Sequence, residues 1–128
     1  MPDLLRVETS RIEPDITVLS FAGKIVLGPD SMQIEMLVFE LLKKNQKKFI
    51  FDLSRVYYVD STGMGVIASC FTKAAKAGGG LRLAGVSGRV RELFKITRLD
   101  SVVGFYPTVL AASENFTVKQ QSGGQAAL

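Results

Sequence analysis

Phe49-Ile50-Phe51-Asp52-Leu53-Ser54-Arg55-Val56-Tyr57-Tyr58-Val59-Asp60-Ser61-Thr62-Gly63-Met64-Gly65 is the stretch that decides how this chain folds. Its first five residues form a short apolar run of aromatic and β-branched side chains, the pattern of a strand buried on both faces. Ser54-Arg55 reads as punctuation, and residues 56–59 carry the chain on to Asp60. Beyond Ser61 the apolar residues Met64, Ile67, Ala68, Phe71 and Ala75 recur at helical spacing, which predicts a helix that starts near Ser61 and buries that stripe. A buried strand that runs straight into an amphipathic helix is half of a βαβ unit and implies a parallel sheet.

Ser61 falls at or next to the N-cap of that helix. One reading is that Asp60 or Ser61 caps the helix by accepting a hydrogen bond from a first-turn N–H, an interaction of about 1 kcal/mol. The other is that Gly63 and Gly65 strip bulk from the first turn and open the hydroxyl to a partner. Glycine costs on the order of 1 kcal/mol in a helix interior, so two within one turn ask for a reason. At 100° per residue, Gly65, Ala68, Ser69 and Thr72 lie on the side nearest Ser61, a small-residue surface suited to close docking.

Upstream, residues 5–9 and 16–21 read as two strands separated by Arg11-Ile12-Glu13-Pro14-Asp15, a hairpin-like antiparallel pair. Gly28-Pro29-Asp30 breaks the chain, and Asp30 with Gln33 suggests a capping box opening a helix through about Lys44, with Ile34, Leu37, Val38 and Leu41 on its apolar face. Downstream, Gly78-Gly79-Gly80 ends the Ser61 helix and residues 81–84 form a strand. Ser87 caps a helix with Val90, Leu93 and Phe94 on one side and Arg91, Lys95 and Arg98 on the other. Residues 102–106 make a last strand, and Pro107 suits the first turn of a final helix through Ala112. The expected fold is α/β: one domain over residues 4–114, a mixed and mostly parallel sheet with an antiparallel N-terminal pair, and about four helices. Residues 115–128 are polar, contain Ser122-Gly123-Gly124 and are expected to be a flexible tail.

Composition removes several functions. The chain has 128 residues, is 47% hydrophobic and 22% charged, and contains no histidine and a single cysteine, Cys70. Zinc and most transition-metal sites therefore lack ligands, no disulfide can form within the chain, and Cys70 reads as a small core residue. A Ser61 nucleophile would lack its usual base, and Val59 stands where Gly-x-Ser-x-Gly needs glycine, so no enzyme is expected. Gly63-Met64-Gly65 meets neither the Walker nor the dinucleotide fingerprint, and no cofactor is implied. The net charge of +4 comes partly from Lys43, Lys44, Lys47 and Lys48, where a helix ends and a strand begins. Cations complement the helix dipole there, and no nucleic-acid motif accompanies them, so direct nucleic-acid binding is not expected. No apolar run approaches the roughly 18 residues of a membrane span, and Met1-Pro2-Asp3-Leu4 lacks a signal-peptide pattern, which makes the cytoplasm the expected location.

The segment Phe51-Asp52-Leu53 to Asp60-Ser61-Thr62-Gly63-Met64-Gly65 resembles a STAS domain of the anti-sigma factor antagonist type, in which a strand precedes Asp-Ser-(Ser or Thr)-Gly-Leu-Gly at the opening of a helix. Gly79-Gly80-Leu81-Arg82-Leu83, the Ile96-Thr97-Arg98-Leu99 end of the segment from Arg89, and residues 18–25 are similar too. The resemblance implies that Ser61 is phosphorylated by an anti-sigma factor serine/threonine kinase of the GHKL type. It implies that the unphosphorylated protein binds this kinase and releases the sigma factor. Thr62 would be the neighbouring, less favoured hydroxyl. By the same resemblance the partner surface combines the Asp60-Ser61-Thr62-Gly63-Met64-Gly65 turn, the exposed helix face bearing Ser69 and Thr72, and the loop at Gly28, Pro29 and Asp30. The chain departs from the pattern after Gly23-Lys24-Ile25, where Val26 follows instead of an early aspartate. An accessory or scaffold STAS domain of a membrane-transport or signalling complex, without phospho-switching, is the alternative.

Overall fold

Alternation within the strands sorts the apolar side chains onto two faces of one sheet. In the computed structural model, which describes residues 5–117, the chain runs β1 (Arg6–Ile12), β2 (Ile16–Ile25), α1 (Pro29–Lys43), β3 (Lys48–Val59), α2 (Ser61–Lys76), β4 (Gly80–Ala84) and α3 (Gly88–Ile96). A 3₁₀ turn (Leu99–Ser101), β5 (Gly104–Tyr106) and α4 (Val109–Ser113) follow. The sheet order is β1-β2-β3-β4-β5, with β1 antiparallel to β2 and the other neighbours parallel.

Leu19, Phe21, Phe49, Phe51, Leu53, Leu81 and Leu83 point to one face, where Ile34 and Val38 of α1, Ile67 and Cys70 of α2, and Val90 and Phe94 of α3 cover them. Parallel strands added in one direction by right-handed crossovers put their helices on a common side, which is why these three helices share that core. Phe21 and Phe51 meet edge-on at 5.0 Å between ring centroids inside it. The alternate residues Ile16, Val18, Ile50 and Ala84 face the other way and pack with Ala112 of α4 and Phe116. The packed chain thus continues to Phe116, which is 7% exposed. Residues 118–128, where most of the tail is expected, lie outside the described residues.

The expected order of elements and the mixed sheet are observed, and several local details differ. Ser54-Arg55 does not interrupt the third strand. The Asp52 carboxylate accepts the Ser54 N–H at 3.0 Å, and pairing with β2 continues through register shifts as far as Ile25 opposite Val59. No capping box forms at Asp30: the N-cap of α1 is Gly28, Pro29 takes the first helical position, and the Ser31 hydroxyl donates to the Gly28 carbonyl at 3.0 Å. Gly28 holds φ at 153°, which disfavours a side chain there. Asp30 instead adds a favourable charge to the first turn. Arg98 leaves the α3 face, because the helix ends at Ile96 and Arg98 adopts a left-handed φ of 62°. Pro107 precedes the last helix, whose cap is Thr108, accepting the Ala111 N–H at 3.0 Å.

β3 is the longest strand. Its pairing with β4 stops at Asp52 opposite Ala84, whereas its pairing with β2 continues to Val59. The C-terminal half of β3 therefore overhangs β4, and past Arg55, where β1 ends with Arg6 opposite Ala22, it runs on as a two-stranded ribbon with β2 that delivers the chain to Ser61.

Candidate functional site

Asp60 builds the site. Its backbone N–H donates to the Ile25 carbonyl at 3.2 Å, extending the ribbon by one bond. One carboxylate oxygen accepts the Gly63 N–H at 2.8 Å and caps α2; the other accepts the Leu27 N–H at 2.9 Å. One side chain thus ties the turn after β3 to the loop after β2. Charge-assisted bonds from backbone N–H groups to a carboxylate are among the stronger neutral-to-ionic contacts, so the two loops present one fixed surface.

The cap itself is identified by this contact. The cap is Asp60, and Ser61 takes the first helical position of α2 with an exposed side chain. Thr62 is half-buried beside it. Of the two glycines, Gly65 is exposed and a methyl group there would meet nothing within 4 Å. Gly63 does not open the surface. It is buried, and a methyl group on it would come within 2.9 Å of the Ile25 carbonyl carbon and of Val59 Cγ1, and closer still to the Ile25 oxygen. Its role is to let α2 start directly against the end of β2. Met64, expected on the partner surface, is 5% exposed and belongs to the core.

The buried stripe of α2 is also rotated from the expected one. Gly63, Met64, Val66, Ile67, Cys70 and Ala74 are buried, Ala68 and Phe71 are partly covered, and Ala75 is exposed. β3 and α1 flank the helix together, which widens its covered face beyond a single stripe. Burial, and secondarily the charge of Glu35, push the Cys70 thiol up from its usual 9.0 to about 12, so it stays protonated and inert.

The remaining candidate residues lie along the same rim. Thr72 is exposed, and Ser69 is half-buried, with its hydroxyl donating to Glu35 of α1. Lys73 sits 4.9 Å from the centre of the Phe39 ring and adds a second tie between α1 and α2. Pro29 is exposed, while Gly28 and Asp30 are half-buried. The sequence reading passed over three exposed apolar residues on this side: Leu27 at 75%, Met32 at 63% and Met36 at 64%. The spacing of Met32 and Met36, opposite Ile34 and Val38, was the available signal for the two methionines. Leu27 required the Asp60 contact to be seen. Among the described residues no cluster of acids and cysteine could hold a metal ion, and no helix is long and apolar enough to cross a membrane.

The STAS domain model matches residues 9–112. An anti-sigma-B factor antagonist of Bacillus subtilis is 34% identical over 99 residues, covering 77% of this chain and 88% of that protein. A Thermotoga neapolitana relative is 35% identical over 75 residues, and the match spans 66% of its length. Among solved structures, an anti-sigma factor antagonist from Mycobacterium paratuberculosis superposes with a TM-score of 0.76 at 20% identity, over 91% of this chain and 97% of that one. Bacillus SpoIIAA superposes with a TM-score of 0.68 in its unphosphorylated form and 0.68 in its phosphorylated form. Those matches cover 84% of this chain in each case, 94% and 96% of SpoIIAA, at 14% and 17% identity.

Proposed function

The chain belongs to the STAS domain family, and from that premise we propose that it acts as an anti-sigma factor antagonist switched by phosphorylation of Ser61. Unphosphorylated, it binds an anti-sigma factor serine/threonine kinase of the GHKL type and frees the sigma factor. The kinase transfers the γ-phosphoryl group of ATP to Ser61 Oγ, releasing ADP and the hydroxyl proton, and the complex then dissociates. The docking surface comprises Ser61, Thr62, Gly65 and Thr72 with the loop at Gly28, Pro29 and Asp30. Asp60 and Ser69 hold its parts in register.

The observation that carries this reading is the division of labour between Asp60 and Ser61. Asp60 supplies the cap, so the exposed Ser61 hydroxyl can be modified without removing a structural hydrogen bond. A phosphoserine adds roughly −1.5 to −2 charge, and at the first position of a helix the dipole and free N–H groups tolerate it. The similar likeness of this chain to SpoIIAA in both forms supports a switch that works without refolding. At the docked interface the same dianion lies beside the Asp60 carboxylate and must be desolvated, which weakens binding.

Capture of partners by wild type, Ser61→Ala and Ser61→Asp from a native lysate, with mass spectrometry of the Ser61 peptide, tests the proposal. A GHKL-type kinase held by wild type and Ser61→Ala but not by Ser61→Asp is the expected outcome. Equal recovery of one partner by all three, with Ser61 never modified, would point instead to a constitutive scaffold.

A further inference from the structure

The overhanging half of β3 creates a second recess that shares no residue with the Ser61 turn. Lys24, Tyr57, Tyr58, Arg89 and Leu93 line a cleft of about 370 Å³ between the ends of β2 and β3 and the start of α3. It exists because β3 outruns β4 by seven residues, Leu53 to Val59, leaving this side of the ribbon without a further strand beside it. Tyr57 and Tyr58 are 49% and 43% exposed. Arg89, Leu93 and Ile96 follow the i, i+4, i+7 spacing of one helical face, and Ile96 is 78% exposed, so apolar surface continues along α3 from the cleft. Lys24 and Arg89 supply the only charges in the lining, and neither belongs to an ion pair among the described residues.

We infer that this cleft docks an acidic segment of a protein partner, with an apolar side chain seated among Tyr57, Tyr58 and Leu93 and carboxylates against Lys24 and Arg89. Charge decides the occupant. Covering two cations costs desolvation that only opposite charge offsets, and complementary potential both steers the encounter and rejects other partners. A second copy of this chain is a poor occupant: an isologous contact would set the same basic rim against itself, between two molecules of net charge +4. The lining also matches what anchors protein interfaces, because tyrosine and arginine carry much of the binding energy and tyrosine loses little conformational freedom on docking.

The test uses the full chain and a short fluorescein-labelled peptide alternating Glu with Leu and Phe, followed by anisotropy at low salt. Saturable binding is expected, weakened by salt and weakened roughly ten-fold or more by Lys24→Glu with Arg89→Glu. The equal charge change Lys44→Glu with Lys76→Glu, at exposed sites outside the cleft, should weaken it far less. Ser61→Asp should leave it unchanged, which separates this site from the Ser61 surface. Amide shifts on titration should centre on residues 57, 58 and 93, and Tyr58→Ala, at a half-exposed site that leaves the fold intact by circular dichroism, should lower the affinity. Absence of saturable binding, equal loss in the two charge-reversed pairs, equal binding of a peptide with Gln in place of Glu, or shifts centred elsewhere would each overturn the inference.

Discussion

Replacing Gly63 with alanine separates two uses of the same glycine. If Gly63 merely cleared space for a partner, alanine would stabilise the isolated protein by up to about 1 kcal/mol, the difference in helix propensity. The structure requires the opposite sign. The new methyl would press on the Ile25 carbonyl and on Val59 Cγ1, and backbone cannot rotate away as a side chain can. Forcing a methyl into a packed site costs about 1–3 kcal/mol. Any retreat of the helix also lengthens the Asp60 bonds to Gly63 and Leu27, each worth on the order of 1 kcal/mol. After the propensity gain is subtracted, the expected net loss is about 1–3 kcal/mol, a fall in Tm of roughly 4–12 °C for a domain of this size. Urea unfolding followed by far-UV circular dichroism measures it directly. A Gly63→Ala protein as stable as wild type, or more so, would refute the packing role.

Gly65→Ala should do the reverse, raising stability by up to about 1 kcal/mol, since the site is exposed and open. Asp60→Ala removes the acceptor for two N–H groups and should cost about 1–3 kcal/mol, with the Leu27 and Gly63 amides losing hydrogen-exchange protection first; unchanged protection at Leu27 would contradict the bridging role. Ser61→Asp should leave the urea midpoint near that of wild type, because a negative charge suits the first turn; a large fall would contradict a switch without refolding. The Cys70 thiol, held at about 12 when folded against 9.0 ordinarily, should resist alkylation at pH 8 until urea is added. Its proton is released by the unfolded chain first, so the stability due to this group is complete below pH 9 and declines as pH rises towards 12. Stability that increased across that window in wild type but not in Cys70→Ala would contradict the buried, protonated thiol.

Strand and helix order was legible because each element carries its own period. Residues 49–53 read as a doubly buried strand, and four of the five are buried. What stayed hidden depends on contacts between segments distant in sequence. Ser54-Arg55 looks like a break, yet β2 supplies the pairing that carries the strand through it. Gly63 and Gly65 look equivalent two residues apart; only the approach of Ile25 distinguishes them. Asp60 was recognisable as a cap, but its second oxygen reaches Leu27, 33 residues away, which no local pattern encodes. The same limit applied to α1, where the geometry of Gly28 and Pro29 overrode the Asp30–Gln33 spacing.

The phospho-switch is tested most directly by the affinity of the full chain for a purified GHKL-type anti-sigma factor kinase, measured by calorimetry before and after incubation with ATP. One phosphate on the peptide containing Ser61, at least a roughly ten-fold rise in Kd that corresponds to about 1.4 kcal/mol, and no such change for Ser61→Ala are the expected results. An unchanged Kd for protein verified as phosphorylated at Ser61 would contradict the switch.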